Sequence, residues 1–193
     1  MSEELERKWN QIYRDAKPGS LQPVAVLADN LHLLPAAGRA LELACGLGAN
    51  AIALARAGLA VQAWDISRVA VDKLNRLAQE QGLGLVAEAR DVLARPPAAE
   101  SFDVIVVSHY LERALAGPLM AALKPGGLLF YQTFVRQVTE DYSGPSNPDF
   151  RLERGELLRL FAPLVPLVYR EEALVGDTRR GLRNEAQLVA QKP

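Results

Sequence analysis

The chain has 193 residues, 49% of them hydrophobic, which is long enough for one well-buried core and short for two independent domains. Its 22 Lys and Arg against 23 Asp and Glu leave no overall basic field, so a nucleic-acid partner is disfavoured. A single cysteine, Cys45, excludes an internal disulfide, two histidines set apart at 32 and 109 offer no metal-ligand spacing, and no apolar run approaches the roughly 20 residues of a membrane span. The charged start, residues 1–8, lacks the apolar region of a signal peptide. The expectation is a cytoplasmic protein with no metal and no membrane contact.

Residues 3–16 read as a helix, with Leu5, Trp9, Ile12 and Ala16 at helical spacing, stopped by Lys17-Pro18-Gly19. A second helix is expected from Pro23 to Leu33 on the spacing of Val24, Leu27, Leu31 and Leu34. From residue 39 onward apolar strands alternate with helical patterns, the signal of a parallel sheet covered on both faces. Strands are placed at 39–44, 60–65, 84–89, 102–107 and 127–134. The helix after the second strand has Ser67 as N-cap, a core stripe of Ala70, Val71, Leu74, Leu77 and Ala78, and Gly82 as its stop. A helical segment over 111–123 is interrupted at Gly117-Pro118, and Lys124-Pro125-Gly126-Gly127 suits a type II turn. Beyond it come a loop at 141–148, a helix near 153–161, and an antiparallel final pair at 163–169 and 184–190 with Arg179-Arg180-Gly181 as hairpin tip. The division is a helical cap at 1–38, a core at 39–134, and a substrate-side loop, helix and strand pair at 135–193, all in one domain.

In such a sheet ligands bind beyond the carboxyl ends of the strands. The first strand ends in Ala44-Cys45-Gly46-Leu47-Gly48, where two glycines let a ligand approach the backbone and the next helix aims free N–H groups at it. The second strand ends at Asp65, about 20 residues on, the separation at which an acid reaches ribose hydroxyls. The third ends at Arg90-Asp91-Val92, where a carboxylate and an adjacent N–H can bind an adenine edge. The fourth ends at Ser108-His109-Tyr110, beneath a reacting group. These features permit two cofactors, because Gly46-Leu47-Gly48-Ala49-Asn50-Ala51 also fits the dinucleotide pattern G-x-G-x-x-A.

The wider context resembles the class I S-adenosylmethionine-dependent methyltransferases. The matching residues are Leu41-Glu42-Leu43-Ala44-Cys45-Gly46-Leu47-Gly48, Ala63-Trp64-Asp65-Ile66-Ser67, Ala89-Arg90-Asp91-Val92, Phe102-Asp103-Val104-Ile105 and Leu123-Lys124-Pro125-Gly126-Gly127, in order across residues 39–134. Within that group Trp9-Asn10-Gln11-Ile12-Tyr13 and Val61-Gln62-Ala63-Trp64-Asp65 look most like the small TehB-like tellurite-resistance and thiopurine-methyltransferase-like enzymes. The resemblance implies an α/β, doubly wound, seven-stranded and mostly parallel sheet with an antiparallel last strand and helices on both faces. It implies S-adenosylmethionine as cofactor, Glu42 at its methionine end, Gly46 and Gly48 at closest backbone approach, Asp65 on the ribose, Ile66 against adenine, and Asp91 with Val92 at its edge. Tyr13, Ala44, Asn50 and Ser108 complete the expected cofactor contacts. Ala44 stands where the family usually has a glycine, and Leu47 replaces a small or polar residue.

Methyl transfer from a sulfonium is an in-line displacement that needs alignment and exclusion of water more than a catalytic triad. A thiolate or selenide acceptor needs little help, whereas a hydroxyl wants a general base. His109 is the base candidate, with Tyr110 and Tyr131 beside it in the expected cleft. A histidine capping a strand end is the alternative for His109, and a small buried residue is the reading for Cys45. Trp9 and Tyr13, one helical turn apart, either close over the cofactor or dock the first helix. The 141–148 loop is a candidate lid or a surface loop. Ser108-His109-Tyr110-Leu111 lacks the Asn or Asp, two prolines and aromatic often found at this place in enzymes that methylate nucleic-acid amino groups. Three functions stand open: methyl transfer to a small-molecule acceptor through S, Se, Te or O; NAD(P)-dependent oxidoreduction through residues 46–51; and a non-catalytic cofactor-binding module.

Overall fold

The computed structural model describes residues 2–16 and 22–193, so the expected stop at Lys17-Pro18-Gly19 lies outside the described residues. Helix α1 (Ser2–Asp15) is followed by the single-turn α2 (Ala25–Ala28) and a 3₁₀ turn at Leu31–Leu33. The expected helix over 23–33 is therefore split, and the buried Asn30 sits at the break with its side-chain amide donating to Val26 O. Strand β1 (Arg39–Leu43), helix α3 (Ala49–Arg56), strand β2 (Ala60–Asp65), helix α4 (Arg68–Glu80) and strand β3 (Leu85–Ala89) come next. Strand β4 (Phe102–Ser108) leads through a 3₁₀ turn to α5 (Ala116–Ala122), and then come β5 (Leu123–Phe134), α6 (Glu156–Leu160), β6 (Val165–Arg170) and β7 (Glu185–Gln191).

The seven strands form one sheet in the order β3-β2-β1-β4-β5-β7-β6. Neighbours from β3 to β5 are parallel, and β7 runs antiparallel to both β5 and β6. The chain reverses its direction of winding between β1 and β4, so the cleft predicted for an open α/β sheet lies beyond those two strand ends.

Two differences from the sequence reading have local causes. Gly117-Pro118 does not interrupt a helix but sits in the first turn of α5, where backbone N–H groups have no intrahelical partner and a proline costs nothing. The turn at 124–127 is a bulge inside β5, since Phe102 pairs with Leu123 but Val104 pairs with Leu128. Gly126 takes the positive φ of 77° expected of that turn, and Lys124 Nζ reaches the carboxylate of Asp103 at 2.8 Å.

Strand alternation divides the core into two layers. Leu41, Leu43, Ile105, Val107, Leu129 and Tyr131 pack on one face with α5 and α6, while Ala40, Val104, Val106 and Phe130 pack on the other with α3 and α4. Glu42 shares the second face by the same alternation. Its side chain is thereby aimed at α3.

Candidate cofactor and acceptor site

The end of β1 turns sharply. Ala44, Gly46 and Gly48 all hold positive φ, at 50°, 50° and 78°, and Gly48 N closes the turn on Cys45 O at 2.8 Å. An alanine in this region crowds its Cβ against a carbonyl oxygen, so Ala44 is strained where a glycine would not be. The two glycines have different neighbours. A Cβ on Gly46 would lie 2.7 Å from the Tyr13 hydroxyl of α1. A Cβ on Gly48 would meet Leu74 of α4 at 2.4 Å, so this glycine permits close helix packing.

Buried carboxylates brace the turn from both sides. Glu42 accepts from Asn50 Nδ2 at 2.7 Å and from Ala51 N at 2.8 Å, which caps the first turn of α3 from the neighbouring strand. Burial pushes its carboxyl up to about 8, against the lowering effect of those hydrogen bonds. Asn50 is fully engaged, since its other contacts are Ser108 Oγ at 3.0 Å and Val24 N at 2.8 Å. Glu42, Asn50 and Ser108, expected to touch the cofactor, thus form a buried polar network behind the turn. Asp65 braces the front: Oδ2 accepts from Gly46 N and Oδ1 from Ser67 N, both at 2.8 Å. Burial raises its carboxyl, and the backbone amides of Ser67, Gly46 and Ile66 oppose the rise. An ionised carboxylate offers about four acceptor positions, so both oxygens of Asp65 keep capacity for a ligand.

In front of the turn is a pocket of about 160 Å³ lined by Leu5, Trp9, Tyr13, Ala44, Trp64, Asp65, Ile66, Arg90, Asp91, Val92, Leu93, His109 and Tyr110. Its floor is the carboxyl ends of β1 to β4. Asp91 Oδ1 accepts from Leu93 N at 3.0 Å, which shapes the turn after β3, and the Arg90 guanidinium lies 3.8 Å above the Trp64 ring. Its roof is α1. Leu5, Trp9 and Tyr13, spaced by four residues, face the pocket and the two aromatic rings stack at 5.7 Å, whereas Ile12, expected on that stripe, is 47% exposed. Burial pushes the Tyr13 hydroxyl well above its ordinary range.

The roof is fastened by residues that sequence spacing does not reveal. Lys73 on α4 donates to Tyr13 O, Arg14 O and Ala16 O at 2.7, 2.9 and 2.8 Å, capping the carboxyl end of α1. Asn10 Oδ1 accepts from Ser67 Oγ at 2.8 Å and from Val69 N at 3.2 Å, joining α1 to the start of α4.

On the β4 side His109 holds a positive φ of 51°, with its N–H donating to Gln132 O at 2.9 Å. Its ring stacks on Phe134 at 4.9 Å, and Phe134 meets Tyr142 of the 141–148 loop edge-on at 5.9 Å. His109 Nε2 lies 3.0 Å from Glu185 Oε1, and Gln132 Nε2 donates to the other oxygen of that carboxylate. Burial of Glu185 favours its neutral form, but the hydrogen bonds from His109 and Gln132 outweigh it and hold the carboxyl below the usual range. Glu185 also lines a polar hollow with Thr139, Asp141, Thr178, Arg179 and Asn184. Tyr110 lines the pocket, with burial raising its hydroxyl to about 12. Tyr131 requires correction. It points into the core, 3% exposed, and its hydroxyl donates to Tyr110 O at 2.8 Å, so it is not available in the cleft. Cys45 is buried with its thiol pushed up by that burial, which leaves it without nucleophile character.

Among the described residues no group of three or more His, Cys, Asp or Glu could hold a metal ion, and no helix is long and apolar enough to cross a membrane.

Comparison with known proteins agrees with this geometry. Residues 40–127 match the family model described as a methyltransferase domain. A ubiquinone biosynthesis O-methyltransferase from Coxiella burnetii is 32% identical over 101 residues, covering 50% of this chain and 43% of that protein. The chain thus spans less than half the length of this curated relative. TehB from Haemophilus influenzae superposes with a TM-score of 0.71 at 20% identity, over 96% of this chain and 67% of that one. Geranyl diphosphate C-methyltransferase from Streptomyces coelicolor, crystallised with S-adenosyl-L-homocysteine, gives 0.71 at 18% identity, over 100% and 98%. At these identities the two structures speak for the fold. Residues 40–127 are therefore similar to a methyltransferase domain, and the chain has the fold of these solved methyltransferases.

Proposed function

We propose that the protein transfers a methyl group from S-adenosylmethionine to a small-molecule acceptor. The observation that carries this reading is the single pocket that gathers Asp65, Ile66, Asp91 and Val92 from the ends of β2 and β3 with Ala44 and His109 from β1 and β4. Its chemistry fits the cofactor. The two carboxylates suit hydroxyl and amino donors, and Ile66, Val92 and Leu93 offer apolar surface for a flat base. The faces of Trp9 and Tyr13 suit a cationic centre. The absence of a side chain on Gly46 lets the Tyr13 hydroxyl close onto the turn, 2.7 Å from where a Cβ would stand.

When bound, S-adenosylmethionine supplies an already activated methyl group. The chain's own part is alignment and exclusion of water. Asp65 and Asp91 anchor one end of the pocket, α1 shuts it from above, and His109 and Tyr110 border the end where an acceptor enters. A sulfur, selenium, tellurium or oxygen nucleophile is compatible with that division of labour. The decisive measurement is calorimetric titration with S-adenosylhomocysteine. Saturable binding is expected, and no binding by correctly folded protein would remove the proposal.

A further inference from the structure

Taking the methyl-transfer reading as given, we propose that His109 and Glu185 form a base pair that deprotonates the acceptor, so the acceptor is a weakly acidic hydroxyl such as a phenol. Four observations converge on it. His109 Nε2 lies 3.0 Å from Glu185 Oε1, and an ionised carboxylate can only accept, so Nε2 carries the proton. In the neutral ring the other nitrogen, Nδ1, is then the unprotonated one, and it has no hydrogen-bond partner among the described residues. It is free to take a proton.

The second observation concerns the carboxylate. Gln132 Nε2 donates to the second oxygen of Glu185, while Gln132 Oε1 accepts from Val26 N at 2.8 Å and from Gln187 Nε2 at 2.9 Å. Glu185 is thereby fixed from behind by a buried amide that is itself fixed on both sides. These contacts outweigh burial and leave Glu185 ionised near neutrality.

The third is backbone strain. His109 adopts the left-handed region, which is strained for a residue with a Cβ, and it does so at the strand end that borders the pocket. Phe134 stacks on the ring and fixes its plane.

The fourth is access. The ring lines the cofactor pocket and Glu185 lines the polar hollow beside it, so the pair stands between the two spaces, with the imidazole side chain 46% exposed. A sulfur or tellurium anion would need none of this apparatus, because it arrives ionised.

The step balances as follows. Nδ1 takes the proton from the acceptor O–H as an oxygen lone pair forms the O–C bond, the C–S bond of S-adenosylmethionine breaks, and its electron pair stays on sulfur. The imidazolium is stabilised by Glu185, and solvent takes the extra proton from the half-exposed ring. His109 is the catalytic residue and Glu185 a positioning residue.

The test joins a spectroscopic readout to a kinetic one. With only two histidines in the sequence, ¹⁵N-labelled imidazole resonances of the wild type and a His32→Gln variant identify His109 directly. The cofactor-free protein should show the neutral ring protonated at Nε2, and Glu185→Ala should populate both tautomers. In turnover, the ratio of phenol to thiophenol methylation should fall by about 10²-fold or more in His109→Ala, and by a smaller factor in Glu185→Gln that Glu185→Asp partly restores. A proton found on Nδ1, an unchanged ratio in His109→Ala, or a wild-type enzyme that binds S-adenosylhomocysteine and methylates no oxygen acceptor overturns the proposal. Failure of the wild type to bind S-adenosylhomocysteine instead strikes the methyl-transfer reading beneath it.

Discussion

Gly46 donates its amide hydrogen to Asp65 Oδ2 at 2.8 Å, so the glycine turn after β1 and the acid that ends β2 are one mechanical unit. The ordinary expectation treats the turn and the acid as separate contacts to a ligand. Here the acid also holds the turn open. Asp65→Ala should therefore lower S-adenosylhomocysteine affinity more than the loss of ligand hydrogen bonds alone, each worth about 0.5–1.5 kcal/mol. A fall of about tenfold or more in calorimetric titration is expected, and unchanged affinity would contradict the assigned pocket.

Ala44 occupies the left-handed region at φ 50° on the pocket floor. Relief of that strain is worth about 1–2 kcal/mol, offset by about 0.4–1 kcal/mol for the freer unfolded chain of a glycine. Ala44→Gly should stabilise the protein by roughly 0.5–1 kcal/mol, read as a higher urea midpoint with unchanged slope. A lower midpoint would show that the alanine methyl packs better than its backbone is strained.

Glu42 sets a pH dependence whose direction is opposite to that of most carboxylates. Its folded-state value is raised to about 8, so between the ordinary value of 4.5 and 8 the folded protein keeps a proton that the unfolded chain has lost. Stability from this group is complete below 4.5 and is lost as pH rises through about 8. Asp65, also raised by burial, acts in the same direction. The slope approaches 1.4 kcal/mol per pH unit at most. Urea midpoints measured from pH 5 to pH 8 should fall in the wild type and flatten in Glu42→Gln, and parallel curves for the two proteins would contradict the assignment.

Lys73 holds the carboxyl end of α1 through three backbone carbonyls. Lys73→Met keeps much of the aliphatic stem and removes the donors. Amides within residues 2–15 should exchange with deuterium at least about tenfold faster, while those of β1, β4 and β5 keep their protection. Equal acceleration throughout would mean that α1 is not a separately opening element.

Much of this was legible in the sequence, and for a physical reason. The strands from 39 to 134 are buried on both faces and read as apolar runs, and the residues at their carboxyl ends fall into one cleft because parallel strands all end on the same side. Asp65, Ile66, Asp91, Val92 and His109 were accessible to that reasoning. Glu42 was expected at the methionine end of the cofactor, and strand alternation places it with Ala40 on the α3 face, where it holds Asn50 and Ala51. Tyr131 follows the same alternation, which puts it with Leu129 in the opposite core layer. Lys73, Asn10 and Glu185 were not legible, because their partners lie 53 to 76 residues away and neither spacing nor composition marks them. Gln132 lies inside the strand expected at 127–134. Its role emerges only when β7 is seated beside β5.

The reversed direction of β7 has a consequence for how chemistry is distributed along the chain. A strand running against its neighbours begins where they finish, so Glu185, the first residue of β7, arrives beside His109 and Gln132 at the finishing edge of β4 and β5. A final strand laid parallel to β5 would bring its first residue to the far rim of the sheet. The closing hairpin is thus more than a seam along the edge. It is the delivery route by which the last eighth of the polypeptide reaches the cleft.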